Sequence, residues 1–123
     1  MNTTRYVYKI VSTPPAPNSP KLELLQIDKD SGFIHLSSGR QVPNTCDRFF
    51  SDVATLYIIK FSHEKLADHM KWERAPDSDG VFPHYYGDIL MRDADSFREF
   101  HKGEASWVSV LDNEAWLSDT DRK

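Results

Sequence analysis

The sequence predicts an α+β fold. Three observations lead there. Six or so short segments read as strands, two or three as short helices, and the strands do not alternate with helices in the rhythm of a parallel sheet. The 123 residues fit a single domain, 1–123. Cys46 is the lone cysteine, which excludes a disulfide framework and a multi-thiolate zinc site. Net charge is −4 with acids and bases interspersed, so no basic stripe exists to grip duplex nucleic acid. No apolar run has the length of a membrane span, and the N-terminus lacks a signal core. The expected setting is cytoplasmic, without a membrane partner.

Arg5 to Val11 (RYVYKIV) is aromatic and β-branched and reads as a strand. Tyr6, Tyr8 and Ile10 share one face; Val7, Lys9 and Val11 share the other. Pro14, Pro15, Pro17 and Pro20 then impose a stiff loop. Lys21 to Gln26 suits a short helix or a strand. Asp28-Lys29-Asp30-Ser31-Gly32 reads as a turn into a strand over Phe33 to Leu36.

Ser38 and Gln41 have the spacing of a capping box. Val42, Cys46, Phe49, Phe50 and Val53 follow as one helical apolar stripe, with Cys46 as an inert core thiol. Thr55 to Phe61 (TLYIIKF) is the clearest strand and is expected to be central. Ser62 caps a short helix running to about Asp68. Met70 to Arg74 is a strand with Lys71 and Glu73 opposite Trp72. Asp77-Ser78-Asp79-Gly80 is a turn. Pro83 makes Phe82 to Gly87 an edge strand or a strand start. Ile89 to Met91 and Ser96 to His101 are two more strand candidates, and Glu104 to Leu117 suits a helix that packs Trp107 and Trp116 on the sheet.

Two of these segments share a design. Phe33-Ile34-His35-Leu36-Ser37 and Phe82-Pro83-His84-Tyr85-Tyr86 each carry one histidine on a short extended stretch. Alternation puts Phe33, His35 and Ser37 on one face, and Phe82, His84 and Tyr86 on one face. An aromatic, an imidazole and a hydroxyl in a row suit a flat polar ligand, if the segments share a cleft. The competing reading is a pair of satisfied core histidines.

Other chemistries are weaker. No histidine pair has the helical H-E-x-x-H spacing, so no metal site is expected, and no G-x-S-x-G elbow or phosphate loop is present. His63, Glu64 and His69 look solvated. Glu73, beside Trp72, is a candidate acid/base or cation-stabilising carboxylate, against the plainer reading of a salt bridge with Lys71 or Arg74. Glu99, between Phe97 and His101, is a second candidate.

Tyr8-Lys9-Ile10-Val11, Gly32 to Ser38 (GFIHLSS), Gln41-Val42-Pro43, Arg48-Phe49-Phe50, Lys71-Trp72-Glu73 and Phe82 to Gly87 (FPHYYG) occur in one order. In this the chain resembles domain-of-unknown-function family 952 over residues 5–92, with 93–123 as a C-terminal strand and helix extension. The Pro-rich loop and Ser96 to Leu117 resemble fungal members.

The resemblance implies an ADP-ribosyltransferase-like fold, a split, curved β-core with a few short helices. It implies NAD as substrate, with the protein acceptor undefined. His35 and Ser37 resemble the His-x-Ser of the His-type branch and would hold a ribose. His84 and Tyr86 would hold the nicotinamide end, with Phe33, Phe82 and Tyr85 as walls. His35, His84 and Glu73 would be the catalytic set. The late-strand glutamate of many transferases has no aligned counterpart; Glu73 and Glu99 stand in by position. Some His-His relatives, such as RNA 2′-phosphotransferases, work without it. The alternative is a non-catalytic nucleotide or small-molecule module with a degenerate transferase pocket.

Overall fold

A computed structural model describes residues 5–15, 20–74 and 80–117. Among these, two three-stranded antiparallel sheets form the body. The first has the order β1 (Tyr6–Val11), β3 (Thr55–Ser62), β6 (Ala94–His101). The second has the order β2 (Ile34–His35), β5 (Val81–Tyr85), β4 (Met70–Arg74). They meet at one antiparallel bridge. Tyr8 N–H donates to Ser37 O (2.8 Å) and Ser37 N–H donates to Tyr8 O (2.9 Å).

β1 and β3 are built from β-branched and aromatic residues and are buried on both faces, which places them at the centre of the molecule. The alternation read from β1 holds. Val7 and Val11 enter a core with Ile34, Leu36, Ile59, Phe61 and Tyr85. Tyr8 and Ile10 enter a second core with Val42, Cys46, Leu56, Ile58, Trp107 and Leu111. β3 is central, as its composition required.

Helices close the two cores. α1 (Gln26–Ser31) replaces the turn expected at Asp28 to Gly32. Leu25 N–H donates to Asp28 Oδ2 (3.0 Å), which satisfies an amide at the helix start. Gly32 ends it at φ 84°, donating its N–H to Asp28 O. A helix thus delivers the chain into β2. α2 (Val42–Phe49) carries Pro43 in its first turn, where a missing amide is harmless. Ser38 is not its N-cap. Gln41 is, and its side-chain Oε1 accepts from Ser38 N–H (2.9 Å), so only the reach-back half of the expected box forms. Val42 and Cys46 are buried, but the stripe does not continue as helix: α2 stops at Phe49, whose ring is 54% exposed.

α3 (His63–Leu66) follows Ser62 and runs into a 3-10 turn over Ala67–His69. α4 (Trp107–Leu111) is one turn of the longer helix expected there, capped by Ser106 Oγ, which accepts from Ser109 N–H (3.0 Å). Trp116 lies beyond it, edge-on to Tyr8.

Two strand expectations are corrected. Ile89 to Met91 is not a strand: Leu90 makes an isolated bridge with Lys21, and Met91–Asp93 is a 3-10 turn. β5 is the middle strand of its sheet, not an edge. Pro83 is tolerated because β2 is only two residues long. Pro83 O still accepts from Leu36 N–H (3.1 Å), and the amide that proline lacks faces the same side, where β2 has already ended. The turn expected at Asp77 to Asp79 and the acidic Asp119 and Asp121 lie outside the described residues. Among the described residues no helix is long and apolar enough to cross a membrane.

Candidate functional site

The register of β2 on β5 sets His35 directly opposite His84. Residues opposite each other on antiparallel strands project from the same face. The two rings, distant in sequence, therefore meet, with centroids 5.4 Å apart at 62°. Both line a cleft of about 480 Å³. Its floor carries Lys9, Ile10, Leu36 and Ser37, and its walls carry Leu25 and Ile27 near α1, Arg48 and Phe49 of α2, and Phe82 of β5. The exposed Phe49 that breaks the α2 stripe and the exposed Ile27 are accounted for here, because both border the cleft.

Each imidazole is anchored from behind by a carboxylate. His35 Nδ1 is 2.9 Å from Asp28 Oδ1, and His84 Nδ1 is 2.8 Å from Glu73 Oε1. An ionised carboxylate only accepts hydrogen bonds, so each Nδ1 carries the hydrogen. Both carboxyls are held below the ordinary carboxylate range. For Asp28, burial pushes the pKa up, but hydrogen bonds from His35 and the Lys9 charge outweigh it. For Glu73, the Tyr86 hydroxyl (2.7 Å) contributes most and His84 next; the same bond raises the Tyr86 pKa.

With Nδ1 occupied, Nε2 is the nitrogen left to each ring. His84 is almost buried and lines the cleft. His35 is more open, with 31% of its side chain exposed. Phe33 clamps both rings from the β2 entrance, 4.2 Å from His84 and 4.6 Å from His35 between centroids.

The residues singled out by sequence divide into three groups. His35, Ser37, Phe82 and His84 line the cleft. Phe33, Glu73 and Tyr86 support it: Phe33 packs on the imidazoles, and Tyr86 donates to Glu73. Glu73 pairs with His84, not with Lys71 or Arg74 as the plainer reading held, and it does not line the cleft. Tyr85 is a correction. It faces away from its neighbours His84 and Tyr86 and is buried in the core with Ile34 and Leu36, so it is no cleft wall. Glu99 is on β6 of the other sheet, paired on the surface with His101 (2.6 Å).

Sequence reasoning missed Asp28 and Lys9. Lys9 Nζ is buried, 2.7 Å from Asp28 Oδ2, and donates also to His35 O (3.1 Å). Burial lowers its pKa against the opposing pull of Asp28. A signal existed: Lys9 is the one charge inside an otherwise apolar strand, and a buried ammonium requires a carboxylate partner.

The sequence model of the family described as "Protein of unknown function (DUF952)" matches residues 16–96. The crystal structure of protein CC0527 from Caulobacter crescentus is similar, with a TM-score of 0.68 at 30% identity, covering 76% of this chain and 84% of that one. The solution NMR structure of CC0527 gives a TM-score of 0.68 at 29% identity, covering 78% and 84%. No curated protein matches this chain.

Proposed function

This chain belongs to that family of unknown function, and we propose that its cleft binds NAD and serves ADP-ribosyl transfer through the two imidazoles. The observation that carries the reading is the convergence of His35 and His84 on one cleft, each with Nδ1 held by a carboxylate. The residues present fit the ligand. Phe82, Phe49, Ile27 and Leu25 offer apolar walls for flat rings. Arg48 supplies positive charge for a pyrophosphate, and no Asp or Glu is among the described lining residues to repel it. Two small sheets joined by one bridge suit the split core that the ADP-ribosyltransferase resemblance implies.

When bound, NAD supplies a C1′–N bond that breaks with nicotinamide taking the electron pair, while an acceptor nucleophile bonds C1′ and loses its proton. His84 Nε2 takes that proton, its ring held by Glu73 from behind. His35 Nε2 and Ser37 orient a ribose. Glu73 is here a positioning residue. Its bonds to His84 and Tyr86 turn it from the cleft, so it does not stabilise positive charge at C1′ as its sequence position suggested.

A second reading is favoured by one observation. With no carboxylate among the described lining residues, the cleft lacks the group that transferases use against an oxocarbenium-like centre. On that reading the cleft binds a nucleotide without turnover. Isothermal titration with NAD tests both. Saturable heat that His35→Ala abolishes, with the circular-dichroism spectrum unchanged, supports an NAD cleft. Release of nicotinamide, lost in His84→Ala, separates transfer from simple binding. No heat at millimolar NAD overturns the transfer reading.

A further inference from the structure

Asp28 makes four contacts from a side chain that is fully buried. Oδ1 accepts from His35 Nδ1 (2.9 Å) and from His35 N–H (3.0 Å). Oδ2 accepts from Lys9 Nζ (2.7 Å) and from Leu25 N–H (3.0 Å). One carboxylate thus grips both the backbone and the ring of His35, and is itself fixed by a buried ammonium and a helix-start amide. We propose that Asp28 is the positioning residue of the cleft: it holds the His35 ring hydrogen on Nδ1, so that whenever the ring is neutral its lone pair lies at Nε2 and selects a ligand that donates a hydroxyl there. The claim deepens the NAD reading and rests on it for the identity of that hydroxyl, a ribose O–H.

Nε2 lies 3.5 Å from Ser31 Oγ, at the limit of a hydrogen bond, a contact too long to hold the ring against a ligand. With the ring hydrogen on Nδ1, the lone pair of a neutral imidazole lies at Nε2. Glu73 holds Nδ1 of His84 similarly, but it is part exposed and shares its oxygen with Tyr86. Asp28 alone is sealed from water, and water cannot replace it if it is removed.

Removing Asp28 alone would orphan the buried Lys9, so the test uses the double variant Lys9→Met/Asp28→Asn. Long-range proton–nitrogen spectra of the histidine rings, taken at about pH 8 where an ordinary imidazole is neutral, report the tautomer directly. His35 is assigned by its loss in His35→Gln. The expected result is a single Nδ1–H tautomer in the wild-type chain and a mixture in the double variant. NAD affinity should fall at least tenfold while the circular-dichroism spectrum is retained. Among NAD analogues lacking one ribose hydroxyl, one should lose affinity on the wild type and lose nothing further on the double variant. Asp28→Glu keeps the charge on a longer arm and serves if the double variant does not fold; its His35 ring signals should shift. An unchanged tautomer in the double variant overturns the proposal, as do unshifted ring signals in Asp28→Glu, or deoxy analogues that all bind like NAD. A wild-type chain that gives no heat with NAD fails the functional reading, and the ring spectra still decide the role of Asp28.

Discussion

Trp107 shows how a single side chain sets the second core. It is fully buried, and its indole N–H donates to both Phe50 O (3.0 Å) and Val53 O (3.2 Å). Those carbonyls lie just past the end of α2, so the ring ties the chain after the helix to α4. Asp47 completes the tie by accepting from Trp107 N–H (2.7 Å) and Val108 N–H (3.2 Å). Trp107→Ala should cost about 3–5 kcal/mol, read as a fall in the urea midpoint, because it leaves a cavity and takes the indole donor from Val53 O, while Phe50 O keeps its bond from Val53 N–H. Cys46 lies in the same core with its thiol pKa pushed up to about 12, chiefly by burial. It should resist alkylation in the native state and react fully once urea unfolds the chain; rapid native labelling would contradict its burial. Asp28 makes a pH statement. Its folded pKa is depressed, so the unfolded chain takes up that proton first as the medium is acidified. The stabilisation is complete above the unfolded pKa of about 3.9 and is lost as pH falls toward the folded value. Between about pH 5 and about pH 3, the wild-type chain should lose roughly 1 kcal/mol more stability than Lys9→Met/Asp28→Asn.

Elements explain why some of this was legible in the sequence and some was not. β1 and β3 were readable because each carries its own apolar or aromatic run. The facing of His35 and His84 was readable as a repeated pattern, but not as a fact of register. That needed β2 to stand beside β5, which the hydrogen bonds between them decide. α1 was misread because Asp28, Asp30 and Ser31 are turn formers by composition. A helix wins there because Asp28 satisfies Leu25 N–H at its start and Gly32 adopts the left-handed conformation at its end. Pro83 was misread as an edge marker because the shortness of its neighbour β2 is not a property of the β5 sequence. Gly32 is the element-scale test. A Cβ there meets nothing within 4 Å, so the cost of Gly32→Ala is conformational alone. It should be about 1 kcal/mol in the urea midpoint. NAD affinity should weaken too, because Gly32 sets the path into Phe33 and His35.

At the scale of the whole molecule, the cleft is lined from both sheets and from α1 and α2. Lys9 and Ile10 come from β1 of the first sheet, His35, Phe82 and His84 lie on the second, and Arg48 and Phe49 are on α2. The sheets are linked through the Tyr8–Ser37 bridge, and the Lys9–Asp28–His35 chain of contacts crosses the same boundary. A ligand seated there touches both sheets and two helices, α1 and α2, so its binding energy adds to the cooperativity of the entire fold rather than to one local loop. Mass action then gives a magnitude. At a free NAD concentration one hundred times its calorimetric Kd, the native state gains about 2.7 kcal/mol. For a chain of 123 residues, that corresponds to a rise of roughly 10 °C in Tm. One cooperative transition should move upward as a unit. His35→Ala should remove the shift while leaving a single ligand-free transition. A transition that splits in two on adding NAD, with only one half shifted, would mean that the ligand engages one sheet alone and does not bridge the boundary the cleft spans.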